Sequence, residues 1–484
     1  MKGGVRIRYG TRGAIAAGHP LATAAGIRLL ATGGSAIDAT IAAQAVLCVV
    51  MPDACGLGGD ALLLVRDANG ELTALNGCGA AGAGAVRVAT EGGASVTVPG
   101  IVRAWDDAHA LWGRAPMDMV LQPAVEVAER GHRVGESLAD ATRTQADRLR
   151  SGGAKGWVGE LSDPRARARH PALAAVLRSI ARDGPDTFYR GPLATAIQDA
   201  VRRAGGALTL GDLAAHRSVI GAPIEIRWAG RPLWVQPPPS QAVLLAIALR
   251  WLDQNTQRGA SSLDHVSVEL TGAAFGLRNR VSEGAALLND ELAVDLGHAS
   301  RGGGPRGALH TAGVAASDAT GLTVSSLVSV FDDFGSAVFV PEGGFVLNNR
   351  AGGFTSAPND FAPGKRPVHT LAPILVETAH GPLALATPGA DGQVQTLLQV
   401  VAAMRFRGLS LAAAISDPRW RSEAGQLLIE RAHRRRRSLA RLGHDLNVVE
   451  DGDVRMGAVV GAGCEDGIPM AVGDWRREVA DAAT

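Results

Sequence analysis

Apolar positions along this 484-residue chain follow two rhythms. Residues 14–50 repeat apolar side chains at helical spacing and break at Gly33–Gly34, which predicts two consecutive helices. The stretch "ALLLVRDANGELTALNG" instead predicts a hairpin turning at Asn69–Gly70. Residues 100–290 read as mostly helical, punctuated by "GPDTFYRGP" and "QPPPSQ". The "PPPS" at 237–240 fits neither a helix interior nor a central strand. After residue 311 the pattern turns strand-rich. Runs at 312–317 and 322–330 flank "DATG", then come "FGSAVFVPEGGFVLNNR", "APILVET" and "GPLALATPG", and a helix opens at Asp391. "LIERAHRRRRSLARLGHD" reads as a helix ended by Gly443. Four glycines and a proline within 300–310 make that segment the natural boundary. Strands and helices in both parts predict a mixed, layered α/β architecture.

Composition narrows this picture. Ala and Gly supply much of the apolar content and aromatics are only 4% of residues, which predicts close backbone packing. Lys+Arg (48) and Asp+Glu (47) nearly cancel, so no nucleic-acid or membrane-surface footprint is expected. The run Arg434–Arg437 reads as a solvated helical face. The four cysteines lack zinc-ligand or disulfide-framework spacing, and the twelve histidines lack HExxH or paired spacing, so no metal is expected. No dinucleotide fingerprint, phosphate loop or GxSxG elbow is present, and no cofactor is expected. The first twenty residues contain no signal-peptide pattern, and no 18-residue apolar run occurs, so a cytoplasmic protein is expected.

Candidate chemistry gathers in four places. "CGLGGD" at 55–60 has three glycines where the chain turns or another backbone approaches closely. "KRPVHTLAP" sets a polar cluster just ahead of a strand. "TPGADGQ" carries the chain from strand to helix, a turn whose free N–H groups can hold a developing oxyanion. Thr311 opens a strand. From the residues alone, it is either a strand former or a masked amino terminus awaiting cleavage after His310.

Taken in order, "GHPLATAAGIRLLATGGSAIDATIAAQAV", "GLGGDALLL", "VPGIVRAW", "FYRGPLATAI", "LTLGDL", "PPPSQ", "FGSAVFVPEGGFVLNN", "GKRPVHTLAP" and "TPGADGQ" resemble the γ-glutamyltranspeptidase superfamily of N-terminal-nucleophile hydrolases. "NNRAGGF", "GADGQVQT" and "DPRW" are more similar to its oxamate amidohydrolase and acylase-like branch. The resemblance implies a four-layer αββα sandwich and a precursor that cleaves itself. Residues 1–310 would form the large subunit and 311–484 the small one, with Thr311 as nucleophile. By the same resemblance Ser329 orients that hydroxyl, the amides of Gly389 and Ala390 form the oxyanion hole, and His369 and Thr370 line the pocket. A newly freed α-amino group suits the role of base, since its ordinary pKa is near 8.

Departures from the pattern bear on substrate. "TAG" stands where the family has "TTH". Cys78 replaces the arginine that holds a γ-glutamyl carboxylate, while Phe331, Arg350 and Gly353 replace the polar set that holds its amino group. Losing both partners argues against γ-glutamyl transfer. Arg350, with Lys365 or Arg366, either favours an anionic substrate or pairs internally. The expected activity is hydrolysis of a C–N bond in a small, anionic substrate through an acyl-Thr311. The alternatives are C–C cleavage, as in a branch serving alkylproline antibiotics, and a non-catalytic scaffold.

Overall fold

The structure is a computed structural model that describes residues 4–257, 262–300, 304–305 and 311–484. His310 and most of the expected boundary segment lie outside the described residues.

Strand side chains alternate between two environments, and that alternation builds the layers. Ile15, Ala17, Leu63, Val65, Val314 and Ala316 face a helical layer that includes Pro20–Ala31, Ala36–Val50 and Met117–Arg130. Their neighbours Ala14, Ala16, Leu62, Leu64 and Ala315 face inward, onto Leu375, Ala384, Ala386, Val460, Ala462 and Ala471 of a second sheet. That sheet's other face, with Ile374, Val376, Leu383 and Leu385, packs on helices Ala242–Gln254, Leu263–Phe275 and Gly392–Arg407. The result is the expected αββα sandwich. Much of its inner interface is alanine, as the composition predicts for layers in close approach.

The first sheet runs Ala480–Ala483, Gly13–Ala17, Ala312–Asp318, Thr323–Ser329, Asp60–Arg66, Leu72–Asn76, Val219–Gly221. The second runs Ile7–Tyr9, Ile468–Gly473, Val460–Glu465, Pro382–Ala386, Ile374–Glu377, Arg231–Val235, Ile224–Trp228. Every pairing within them is antiparallel. The break at Gly33–Gly34 separates the two predicted helices. A reciprocal cap starts the second: Ser35 Oγ accepts the Asp38 amide at 3.1 Å and Asp38 Oδ2 accepts the Ser35 amide at 2.8 Å.

Two expectations are corrected. The region read as mostly helical also supplies the strands Val219–Gly221, Ile224–Trp228 and Arg231–Val235. "LIE" belongs to the strand Gln426–Glu430, and the helix after it covers only Arg436–Arg441. Gly443, at φ +94°, still marks its end, and Arg434, Arg435 and Arg437 are exposed. The four cysteines are unpaired. Among the described residues no helix is long and apolar enough to cross a membrane.

Candidate active site

Strand register lines up three polar residues at one end of the first sheet. Ala312 pairs with Val328, so Thr311 stands beside Ser329, and Ser329 in turn pairs with Asp60. Thr311 is buried, with its hydroxyl 3.4 Å from Ser329 Oγ, longer than a well-formed O–H···O bond. Ser329 Oγ accepts the Phe331 amide at 2.9 Å, which holds that oxygen at the strand end. The glycines of "CGLGGD" make the approach possible. A Cβ on Gly59 would sit 2.4 Å from the Ser329 carbonyl oxygen, and one on Gly58 would sit 2.1 Å from that of Val346.

Asp60, which the sequence reading quoted within a motif without assigning it a role, is the hub of the next cluster. Its Oδ2 accepts Arg350 Nε and His369 Nε2, each at 3.2 Å, and its Oδ1 accepts the Gly79 amide at 3.3 Å. All three side chains are fully buried. Burial raises the Asp60 carboxyl's pKa, but the hydrogen bond from His369 and the charge and hydrogen bond of Arg350 outweigh it and hold the group below its ordinary value. The Leu371 amide donates to His369 Nδ1 at 3.1 Å, which leaves Nε2 as the N–H facing Asp60. Burial, reinforced by the Arg350 charge, pushes the His369 pKa down to about 4, so the ring is neutral. Cys78 lies in the same cluster, its thiol pushed up to about 12 by burial and then by the Asp60 charge. It is a protonated packing group, not a nucleophile.

Arg350 uses only part of its guanidinium in contacts within the chain. It does pair internally, through Nε, and its guanidinium lies 4.4 Å from the centroid of Phe331. Yet Nη1 and Nη2 are buried without a hydrogen-bond partner. Phe331 reaches this position at φ +87°, a conformation bulky residues rarely adopt. Lys365 and Arg366 do not join it. Lys365 is bound to Asp360 and the Pro358 carbonyl, and Arg366 donates to the carbonyls of Cys78 and Arg217.

The strand-to-helix turn follows Pro382–Ala386. Gly389 at φ +122° and Ala390 at φ +47° turn the chain into Gly392–Arg407, and neither amide donates to an acceptor among the described residues. Gln241, also unassigned by sequence, links this turn to the His369–Thr370 segment: its Nε2 lies 3.1 Å from both the Thr370 and Ala390 carbonyls. Arg421 lies under the turn, so close that a Cβ on Gly392 would be 2.6 Å from its Nη1. Thr311 and Pro388 border one cleft of roughly 770 Å³, including its open mouth, shared with Val50, Met51, Leu138 and Val479. Asp60, Cys78, Arg350 and His369 do not border it.

Comparison with known proteins bears directly on this arrangement. The sequence profile of the gamma-glutamyltranspeptidase family matches residues 22–484. The chain belongs to that family. Among curated relatives of this gamma-glutamyltranspeptidase-family protein is the oxamate amidohydrolase proenzyme of Klebsiella pneumoniae, 34% identical, with 92% of this chain and 93% of the relative covered. An acylase ACY 1 proenzyme from Pseudomonas sp. is 29% identical over 96% of this chain and 94% of its own. The crystal structure of a cephalosporin acylase from Bacillus halodurans superposes with a TM-score of 0.86 at 28% identity, covering 99% of this chain and 97% of that one. These relatives fit the amidohydrolase and acylase-like branch, and the family member described here is an enzyme of the N-terminal-nucleophile hydrolase type.

Proposed function

We propose that this enzyme cleaves itself between His310 and Thr311 and then hydrolyses an amide of a small anionic substrate. The observation that carries the reading is the row Thr311–Ser329–Asp60, with Thr311 on the open cleft and two free amides in the turn beyond Pro388. The residues take these roles. Thr311 Oγ1 gives its proton to the freed α-amino group as it attacks the substrate carbonyl carbon. The Gly389 and Ala390 amides hold the oxyanion. The C–N bond breaks, the amine leaves with that proton, and an ester on Thr311 remains. Water then adds to the ester carbonyl, its proton passing through the same amine, and the acid departs. Ser329 positions the nucleophile.

Substrate charge follows from Arg350. Two buried guanidinium nitrogens without acceptors suit a carboxylate, which accepts both at once; Arg350 is fully buried and outside the cleft, so a substrate on Thr311 reaches them only if the Asp60 cluster opens toward it. The naming of a relative as an oxamate amidohydrolase agrees with that chemistry. The apolar side chains beside Thr311 favour a second reading, an acylase that seats a larger acyl or amine group in the cleft.

Intact mass and amino-terminal sequencing test the self-cleavage: a small chain starting Thr-Ala-Gly-Val is expected, and Thr311→Ala should stay whole and inactive. Oxamate should then release ammonia. An uncut, folded native chain with no amidase activity would overturn the proposal.

A further inference from the structure

The helix Leu263–Phe275 carries His265 and Glu269 four residues apart, hence on one face. Opposite that face stands His444, placed by the turn after Arg436–Arg441. Sequence spacing predicted no metal because His444 is far from this helix in the chain, but folding brings the three together. His265 Nδ1 lies 2.8 Å from His444 Nε2, and Glu269 Oε1 lies 3.9 Å and 3.8 Å from those two atoms. The three side chains are at most 4% exposed.

Outer contacts already orient the set. His265 Nε2 faces the Leu296 carbonyl at 3.2 Å, so that nitrogen carries the proton and Nδ1 presents its lone pair to the centre. Glu269 Oε2 accepts the Ser300 amide at 3.1 Å. Glu269 Oε1, aimed at both imidazoles, has no hydrogen-bond partner. A buried carboxylate oxygen left this way is costly unless a cation meets it.

We propose that His265, Glu269 and His444 bind a zinc-type divalent ion. Two imidazole nitrogens and a carboxylate oxygen suit zinc and its neighbours, with bonds of about 2.0–2.2 Å. Tetrahedral bonds of that length set ligand atoms about 3.4 Å apart. The observed spacings straddle that value, and shifts of roughly half an ångström would close the set. None of the three borders the cleft beside Thr311, so the ion has a structural role. Glu269, Leu296 and Ser300 precede residue 311 and His444 follows it, while the Ala299 amide donates to the Leu442 carbonyl at 2.8 Å. If the chain is cut before Thr311, which rests on the reading above, the ion clamps the end of the large subunit to the small one. Metal binding itself does not depend on the cut.

The test loads chelator-stripped full-length protein with zinc chloride alone and counts bound metal after desalting. One equivalent per chain is expected, with a rise in Tm of several degrees. Cobalt substitution should give the visible absorption of a tetrahedral site. His444→Asn, which keeps a hydrogen-bonding side chain at that position, and Glu269→Gln should each lose the equivalent and the Tm rise. Thr311→Ala should bind as the native chain does, so failure of self-cleavage and failure of metal binding are read separately. Native protein that retains under a tenth of an equivalent, or variants that keep the full one, would overturn the site.

Discussion

Replacing Asp60 by asparagine removes one charge from a cluster sealed from water and leaves its shape nearly intact. Arg350 and Asp60 are each 0% exposed and joined at 3.2 Å. Breaking such a pair from one side costs about 3–5 kcal/mol, because the remaining charge stays buried without its partner. The substituted carboxamide would still accept a hydrogen bond, which puts the expected loss at the lower end, about 3 kcal/mol. Arg350→Met removes the other charge and should cost a similar amount. The double variant leaves no buried charge, and should lose at least about 2 kcal/mol less than the sum of the singles. Urea denaturation in a Thr311→Ala background keeps the chain whole and makes the four proteins comparable. Additive losses, within about 0.5 kcal/mol, would refute the claim that Asp60 and Arg350 depend on each other.

Arg350→Met should raise KM for oxamate-type anions about 10–100-fold in steady-state assays and leave neutral amides nearly unaffected. Equal effects on both would remove Arg350 from substrate recognition. His369 titrates at about 4 when folded, below its ordinary 6.5, so the unfolded chain holds more protons between those values. Its stabilising contribution is complete above pH 6.5 and is lost as pH falls toward 4. His369→Gln should flatten that part of the stability–pH curve, and an unchanged slope would contradict the neutral ring. Gly58→Ala should abolish soluble expression, since its Cβ would strike a backbone carbonyl, whereas Gly156→Ala, with open space at that position, should raise Tm. Ala390→Gly keeps the amide donor and relieves φ +47°, so kcat should stay within a fewfold of native. A hundredfold loss would mean the methyl group itself matters.

Layer order and most strands were legible because alternation and helical spacing are strong in the long elements. The hairpin at Asn69–Gly70, the paired helices before residue 51 and the strands on either side of "DATG" all announce themselves locally. "IEIRWAGRPLWV" is harder. Its strands are five residues each, and its turn uses Ala229 at φ +53° before Gly230, where Asn-Gly would have been the stronger signal. "LIE" merged with the helix formers after it, and only pairing with Trp420–Glu423 on one side and Leu446–Val449 on the other makes it a strand. At the site, Thr311, Ser329 and the turn at Gly389 stood out through a family resemblance. Asp60 did not, since its role depends on facing Ser329 across strands whose residues are far apart in sequence. The approach of His265 and Glu269 to His444 was hidden for the same reason.

The alanine seam between the sheets also constrains how this protein can change. Where alanines meet across this seam, any larger replacement must push two sheets apart at once. New specificity therefore has to arise at the strand ends and the loops beyond them, where Thr311, Ser329 and the turn at Gly389 lie. The interior acts as a fixed chassis, and the rim is where this lineage is free to explore chemistry.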